Sequence, residues 1–121
     1  MAEFKFLSRS NTVDQGINKL KHFAHCIVIK NGSEGALGWD GKELIVQPAF
    51  KNARVIDCVG AGDSFDAGFI KEFIANSPLR KCLETGALAG AINTTRAGGT
   101  GAFENMETIR EIALARFKYN F

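Results

Sequence analysis

One stretch of the chain reads Val55-Ile56-Asp57-Cys58-Val59-Gly60-Ala61-Gly62-Asp63-Ser64-Phe65, and the fold prediction depends on it. The first two residues are β-branched and predict the end of a strand. Phe65, Phe69, Phe73 and Ile74 follow at helical spacing and predict one face of a helix from about Gly62 to Asn76. A strand, a glycine turn and a helix together leave backbone N–H groups free at the helix N-terminus. Those groups and the helix dipole attract anions, and phosphate above all.

Asp63 follows the glycine turn in the first turn of the predicted helix, and two interpretations of it stay open. A carboxylate repels a phosphate, but it can accept the proton of a hydroxyl that attacks a phosphoryl group. The alternative is an ordinary first-turn acid that the helix dipole favours. Two other glycine motifs fit poorly, because Phe65 stands where the dinucleotide fingerprint needs a third glycine and the chain has no Gly-Lys-Ser/Thr.

The segment from Asp57 to Phe65 closely resembles the second signature of the PfkB (ribokinase-like) family of carbohydrate kinases, which usually reads Asp-Thr-x-Gly-Ala-Gly-Asp-x-Phe. The departure is Cys58, where the family usually has Thr. The resemblance runs from about Thr12 to Phe117 and covers only the C-terminal portion of a family member. It implies an α/β fold, the C-terminal part of a ribokinase-like three-layer sandwich, with a central mostly parallel sheet and helices on both faces. Residues 1–121 are then a single partial domain that carries the nucleotide-binding and catalytic portion.

The same resemblance implies the transfer of the γ-phosphate of ATP to a sugar hydroxyl. Asp63 would be the catalytic base, and Gly60, Ala61 and Gly62 would form the anion hole. ATP and Mg²⁺ are the implied cofactors, and Asp57 would help to bind a monovalent cation such as K⁺. Nucleotide contacts are implied for Asn31, Gly32, Gly35, Ala87, Gly90 and Ala91.

Some of these nucleotide contacts have a plain structural alternative. Lys30 stands where the family segment Thr-x-Gly-x-x-Gly has its Thr, and Gly32 and Gly35 also fit an ordinary loop. The helix that contains Ala87, Gly90 and Ala91 is rich in small residues. Such residues allow either a flat ring or another helix to approach closely.

Composition excludes several classes of protein. The 121 residues are 45% apolar and 23% charged, with a net charge of +2, which argues against a nucleic-acid partner. No apolar run approaches the roughly 20 residues that span a bilayer, and no signal peptide is recognised. The three cysteines lack metal-type spacing and predict free thiols in a reducing cytoplasm, with Cys58 buried.

Further elements follow from local patterns. Thr12 and Gln15 form a capping box for a helix that runs to about Phe23. The apolar run 26–30 predicts a strand buried on both faces of a parallel sheet, and Asp40-Gly41 predicts the turn of a hairpin. A helix is expected after Pro78 and another after Asn105 as N-cap. Residues 1–10 are expected to be a short strand or a partly ordered lead-in.

Two functions remain open from the sequence. The first is the nucleotide-binding and catalytic portion of an ATP-dependent sugar kinase. The second is a non-catalytic fragment or module that binds nucleotide or anion, or associates with a partner chain, without turnover. Expected partners are a small-molecule sugar, ATP, and either further copies of the chain or a complementing N-terminal chain, because a sheet built from this chain alone would leave edge and apolar surface exposed.

Overall fold

The computed structural model describes residues 1–121 and has helices on both faces of a small sheet. The helices are α1 (Ala2–Ser8), α2 (Val13–Leu20), α3 (Ala61–Ile74), α4 (Leu79–Asn93) and α5 (Met106–Phe117). The strands are β1 (Ile27–Lys30), β2 (Ala36–Trp39) and β3 (Leu44–Gln47), and 3-10 turns occupy Gly32–Glu34 and Gly101–Phe103. None of the helices has the length and apolar character needed to cross a membrane.

The sheet is an antiparallel meander in the order β1-β2-β3. Ile29 lies opposite Leu37, and Leu37 lies opposite Val46. One face packs Ala36 and Ile45 against residues of α3 and α4, and the other packs the isoleucines of β1 against α1 and α2. Because successive side chains of a strand point to opposite faces, both faces acquire a helical layer. The α/β fold class, with helices on both faces of a sheet, is therefore confirmed, whereas the predicted mostly parallel pairing is wrong for these three strands, which are all antiparallel.

The first strand is predicted correctly in its position but not in its pairing. Residues 27–30 form β1, which pairs antiparallel with β2 rather than parallel. Ile27 and Ile29 are buried on the side of α1 and α2, and Val28 is half-buried against the core cluster under α3 and α4, so both faces of the strand are covered before the exposed Lys30. The apolar run signals cover on both faces, but it does not distinguish parallel from antiparallel pairing.

The N-terminal ten residues form a helix rather than a strand or a loose lead-in. Phe4 is buried and packs with Ile17 of α2. A Cβ built on Gly16 would lie 2.5 Å from the ring of Phe4, so this glycine is needed for the close approach of α1 and α2. The helix ends at Arg9 in a left-handed conformation, with φ of 50°.

Several predicted helix boundaries are confirmed and one is wrong. The hydroxyl of Thr12 accepts a hydrogen bond from the N–H of Gln15 at 3.2 Å, and Asn105 caps α5 through the N–H of Thr108 at 2.8 Å. However, α2 ends at Leu20, before the predicted end near Phe23, and Phe23 is 85% exposed. The helix ends early because residues 21–23 form a turn before the chain enters β1.

The turn between β2 and β3 forms as predicted. The carboxylate of Asp40 accepts hydrogen bonds from the N–H groups of Lys42 and Glu43, both at 2.9 Å. Gly41 has φ of 99°, a value that residues other than glycine rarely adopt. These local bonds explain why Asp-Gly was a reliable signal for a hairpin.

Val55 and Ile56 do not form the predicted strand end. Both side chains are more than half exposed, and the segment is irregular. The N–H of Ile56 donates to the carbonyl oxygen of Thr94 at 2.9 Å, so the segment is fixed by the loop after α4 rather than by a strand. β-branched composition alone does not make a strand where no neighbouring strand supplies the ladder.

Helices α3 and α4 pack closely against each other. A Cβ on Gly68 would lie 2.8 Å from the carbonyl oxygen of Thr85, and one on Gly86 would lie 3.0 Å from that of Phe65. The small residues therefore allow the two backbones to approach. Phe65 and Phe69 pack in the core beneath, but Phe73 and Ile74 are exposed, contrary to the prediction of one continuous buried face.

Candidate functional site

A cavity of about 390 Å³ lies where the end of β1, the start of α3 and the middle of α4 meet. Lys30 is its only charged side chain, and most of the remaining lining is small or apolar. Fourteen residues line it: Lys30, Gly32, Ser33, Gly35, Ala49, Val55, Cys58, Ala61, Gly62, Phe65, Ala87, Gly90, Ala91 and Thr94. A largely apolar cavity of this size with a few polar groups is typical of a small-molecule site.

The N-terminus of α3 opens onto this cavity through Ala61 and Gly62. Gly60 is the N-cap and has φ of 78°, so the turn requires a residue without a Cβ. The N–H groups of Gly60, Gly62 and Asp63 have no acceptor within the chain, whereas the N–H of Ala61 donates to the carbonyl oxygen of Cys58 at 3.2 Å. Three free N–H groups at the start of a 14-residue helix can hold an anion.

Asp63 lies in the first turn of α3 and is exposed. Its carboxylate makes no hydrogen bond or ion pair with any other residue of the chain. It does not itself line the cavity, although its neighbour Gly62 does. The side chain is therefore accessible to a ligand that approaches the start of the helix from solvent.

Asn93 fixes the glycine turn from the end of α4 and is only 1% exposed. Its amide nitrogen donates to the carbonyl oxygen of Val59 at 2.7 Å. Its side-chain oxygen accepts from the hydroxyl of Ser64 at 3.2 Å. These two bonds hold the residues on either side of the turn. Sequence reasoning missed Asn93, because a single amide near a helix end carries no recognisable pattern.

Asp57 joins the turn to the loop after α4. Its carboxylate accepts from the N–H of Val59 at 2.9 Å and from the N–H of Gly98 at 3.1 Å. These bonds, with that of Val59 the stronger cause, hold the pKa of the Asp57 carboxyl below its usual value. Asp57 is therefore a negatively charged group beside the turn at neutral pH, although it lies outside the cavity lining.

Lys30 crosses from the end of β1 to the first turns of α3. Its ammonium lies 3.3 Å from the carbonyl oxygen of Gly62 and 3.0 Å from the carboxylate of Asp66. It also lies 5.9 Å from the ring centroid of Phe65. In the sequence, Lys30 is notable only as a departure from the family segment. The structure places its ammonium group next to the free N–H groups at the start of α3.

The structure brings seven of the predicted site residues together around the cavity and leaves four outside its lining. Those inside are Gly32, Gly35, Ala61, Gly62, Ala87, Gly90 and Ala91. Those outside are Asn31, Asp57, Gly60 and Asp63. The small residues of α4 allow close approach to α3, because a Cβ on Gly90 would lie 3.2 Å from the carbonyl oxygen of Ala61, and Ala87, Gly90 and Ala91 also line the cavity.

The prediction that Cys58 is buried is wrong. Cys58 is exposed, lines the cavity and is a free thiol, as are Cys26 and Cys82. The prediction failed with the strand end before it, because an irregular segment has no sheet face in which to bury a side chain. No group of three or more His, Cys, Asp or Glu residues is placed to hold a metal ion.

Comparisons with known proteins agree with this α/β fold. Residues 1–106 match the sequence model of the pfkB family of carbohydrate kinases. A nucleoside kinase of Methanocaldococcus jannaschii is 31% identical over 87 residues, which are 72% of this chain and 29% of that protein. A ribokinase of Lactococcus lactis is 28% identical over 91 residues, which are 75% of this chain and 30% of that protein.

A solved structure shows the same fold. The fructokinase double mutant of Vibrio cholerae O395, in a form bound to fructose, ADP and potassium ion, superposes with a TM-score of 0.77 at 24% identity. The match covers 89% of this chain and 37% of that one. Fold and site together define a ribokinase-like α/β protein. The chain belongs to the pfkB family of carbohydrate kinases, and it spans about three tenths of the length of the two relatives described above.

Proposed function

We propose that this chain is the nucleotide-binding and catalytic portion of an ATP-dependent sugar kinase. The observation that carries the proposal is a cavity that opens at the start of α3, where it is lined by Gly62, whose N–H is free, and by Lys30 from the end of β1. Its volume of about 390 Å³ lies in the range of small-molecule sites. An apolar wall for a base and a polar end for phosphates are the two features that an adenine nucleotide needs.

Each group at the helix start has a proposed role. The free N–H groups of Gly60 and Gly62 donate to oxygens of the transferring phosphoryl group and stabilise the charge that develops there. The carboxylate of Asp63 accepts the proton of the sugar hydroxyl that attacks phosphorus. Ala61 contributes only to the shape of the turn and donates no hydrogen bond to phosphate, because its N–H already donates to the carbonyl oxygen of Cys58. Of the three consecutive amides that the resemblance assigns to the anion hole, two are thus free to donate.

On the apolar side, Ala87, Gly90 and Ala91 offer a flat surface of small residues to an adenine ring. Mg²⁺, bound together with ATP, would supply positive charge that offsets the charge of the phosphate groups. Asp57 fits a monovalent cation such as K⁺, because its carboxylate is ionised and each oxygen keeps a lone pair beyond its one backbone N–H. The three free cysteines favour a reducing compartment, so we place the protein in the cytoplasm.

A second candidate is a module that binds nucleotide without turnover. The chain spans about three tenths of the relatives described above, and positioning of the acceptor hydroxyl carries much of the rate of such reactions. A complementing N-terminal chain, or a second copy, would then supply the sugar contacts. This candidate predicts nucleotide binding by the 121 residues and no sugar-dependent ATP consumption.

The test is to replace Asp63 by Asn and to measure binding and transfer separately. Calorimetric titration with ATP and Mg²⁺ should give nearly the same affinity for the variant as for the wild type. Transfer to sugars, assayed with the chain alone and with any complementing chain, should fall by about 10²–10⁴-fold, the usual contribution of a general base. Asp14→Asn is the matched control, because Asp14 is also an exposed acid in the first turn of a helix.

The outcomes separate the candidates. Loss of transfer in Asp63→Asn alone supports the kinase and its base. Near wild-type transfer in that variant contradicts the role of Asp63. Binding of ATP without transfer under any condition favours the non-catalytic module, and absence of ATP binding to the wild type contradicts both candidates.

A further inference from the structure

Lys30 and Asp66 form an ion pair at the entrance to the cavity. The ammonium nitrogen lies 3.0 Å from the carboxylate oxygen, and the two side chains are 43% and 52% exposed. An ion pair this exposed contributes little to the stability of a protein, because water and salt screen both charges. Stability alone therefore gives a weak reason for a lysine to lie here.

The same lysine lies beside the groups that would meet a phosphate. Its nitrogen is 3.5 Å from the position where Gly62 would carry a Cβ, and the N–H of Gly62 is one of the free donors of α3. Lys30 is also the only charged side chain that lines the cavity. A flexible four-carbon stem allows the ammonium to move between neighbouring anions without movement of the backbone.

We propose that Lys30 binds the phosphate groups of the nucleotide and that Asp66 competes for its ammonium group. In the absence of nucleotide the ammonium is paired with Asp66. A nucleotide at the free N–H groups of α3 presents more negative charge than one carboxylate, so it attracts the ammonium away from Asp66. Asp66 thereby weakens nucleotide affinity and sets its level. This inference rests on the proposed function, because it assumes that the cavity binds nucleotide.

The experiment is a double-mutant cycle read by calorimetric titration with ATP in the presence of Mg²⁺, and with adenosine. Lys30→Met should lower the affinity for ATP by about tenfold or more, the equivalent of one charge-assisted hydrogen bond, and should change that for adenosine much less. Asp66→Asn should raise the affinity for ATP. In the double variant the gain from Asp66→Asn should disappear, because no ammonium is left to release.

Two controls keep the result specific. Lys42→Met removes one positive charge from the exposed turn between β2 and β3 and should leave both affinities unchanged. Lys30→Arg keeps the charge and should retain most of the affinity for ATP. Thermal unfolding of each variant confirms that it is folded before titration.

The outcomes are distinguishable. A gain in ATP affinity from Asp66→Asn that depends on Lys30 supports the proposal. If Lys30→Met and Asp66→Asn both weaken ATP and adenosine equally, or if neither changes ATP affinity, the pair is only structural and the proposal is wrong. If the wild type shows no detectable binding of either adenosine or ATP, the assignment of the cavity as a nucleotide site is wrong, and the proposed function is wrong with it.

Discussion

At the scale of single residues, the buried amide of Asn93 holds the glycine turn of the candidate site in place. It bonds to Val59 before the glycine turn and to Ser64 after it. Gly60, between them, holds a left-handed conformation with φ of 78°. Glycine adopts this conformation readily, and the two bonds of Asn93 hold the chain on either side of it.

We expect Asn93→Ala to lower the free energy of unfolding by about 1–3 kcal/mol, because it leaves the carbonyl of Val59 and the hydroxyl of Ser64 without their partner. Urea unfolding, followed by circular dichroism, measures the change. Asn93→Leu is the control for lost volume, since it fills the space but forms no hydrogen bond. If the leucine variant were as stable as the wild type, packing rather than hydrogen bonding would explain the role of Asn93.

At the scale of helices and strands, the turn between α3 and α4 depends on Glu72. The hydroxyl of Ser77 donates to its carboxylate at 2.7 Å, and the N–H of Ser77 donates to its carbonyl oxygen at 3.0 Å. The bond from Ser77 is the largest cause that lowers the pKa of the Glu72 carboxyl, and Lys71 adds to it. The ionised form is therefore favoured in the folded state.

The stability that ionised Glu72 contributes should be fully present above its unfolded pKa of about 4.3. It should be lost as the pH falls through the lower folded-state pKa, because protonation then takes place in the folded protein too. Glu72→Gln should therefore show a smaller fall in stability than the wild type between about pH 5 and about pH 3. Thermal unfolding across that range measures it, and Glu104→Gln, at an exposed carboxyl without a hydrogen-bond partner, should behave as the wild type.

The elements that were predictable from sequence are those held by local bonds. The Asp40 turn, the Thr12 cap and the Asn105 cap each depend on partners within three residues. The strand expected at Val55 and the burial of Cys58 depended on pairing with distant residues, which the sequence does not display. Of the site, the glycine turn and the small residues of α4 were predictable, whereas the ion pair of Lys30 joins residues 36 positions apart and was not.

At the scale of the whole molecule, apolar side chains remain on the surface. Ile70, Phe73 and Ile74 follow one another at helical spacing on α3, and each is more than half exposed. Leu44 and Val46 are exposed as well, on the edge strand β3. Contiguous apolar surface of this kind favours association with another protein surface.

We expect the chain to self-associate in solution, and the double substitution Phe73→Lys with Ile74→Lys to reduce that association. Multi-angle light scattering should show a mass that rises with concentration for the wild type and a monomer mass for the variant. Leu114→Lys, at an exposed leucine of α5, serves as the control. A wild type that stays monomeric at all concentrations would contradict the expectation.

The residues that form and support the cavity lie far apart in the sequence, and this separation has a consequence for how the chain folds. The contact of Lys30 with Gly62 closes a loop of 32 residues, and that of Asp57 with Gly98 closes one of 41. The hairpin of β2 and β3 and the pair of α3 and α4 join neighbouring segments, so they can form sooner. During synthesis, which proceeds from the N-terminus, no cavity exists until α4 has emerged from the ribosome. A ligand of the cavity therefore cannot assist the early steps of folding, and can stabilise only a chain in which α4 has already formed.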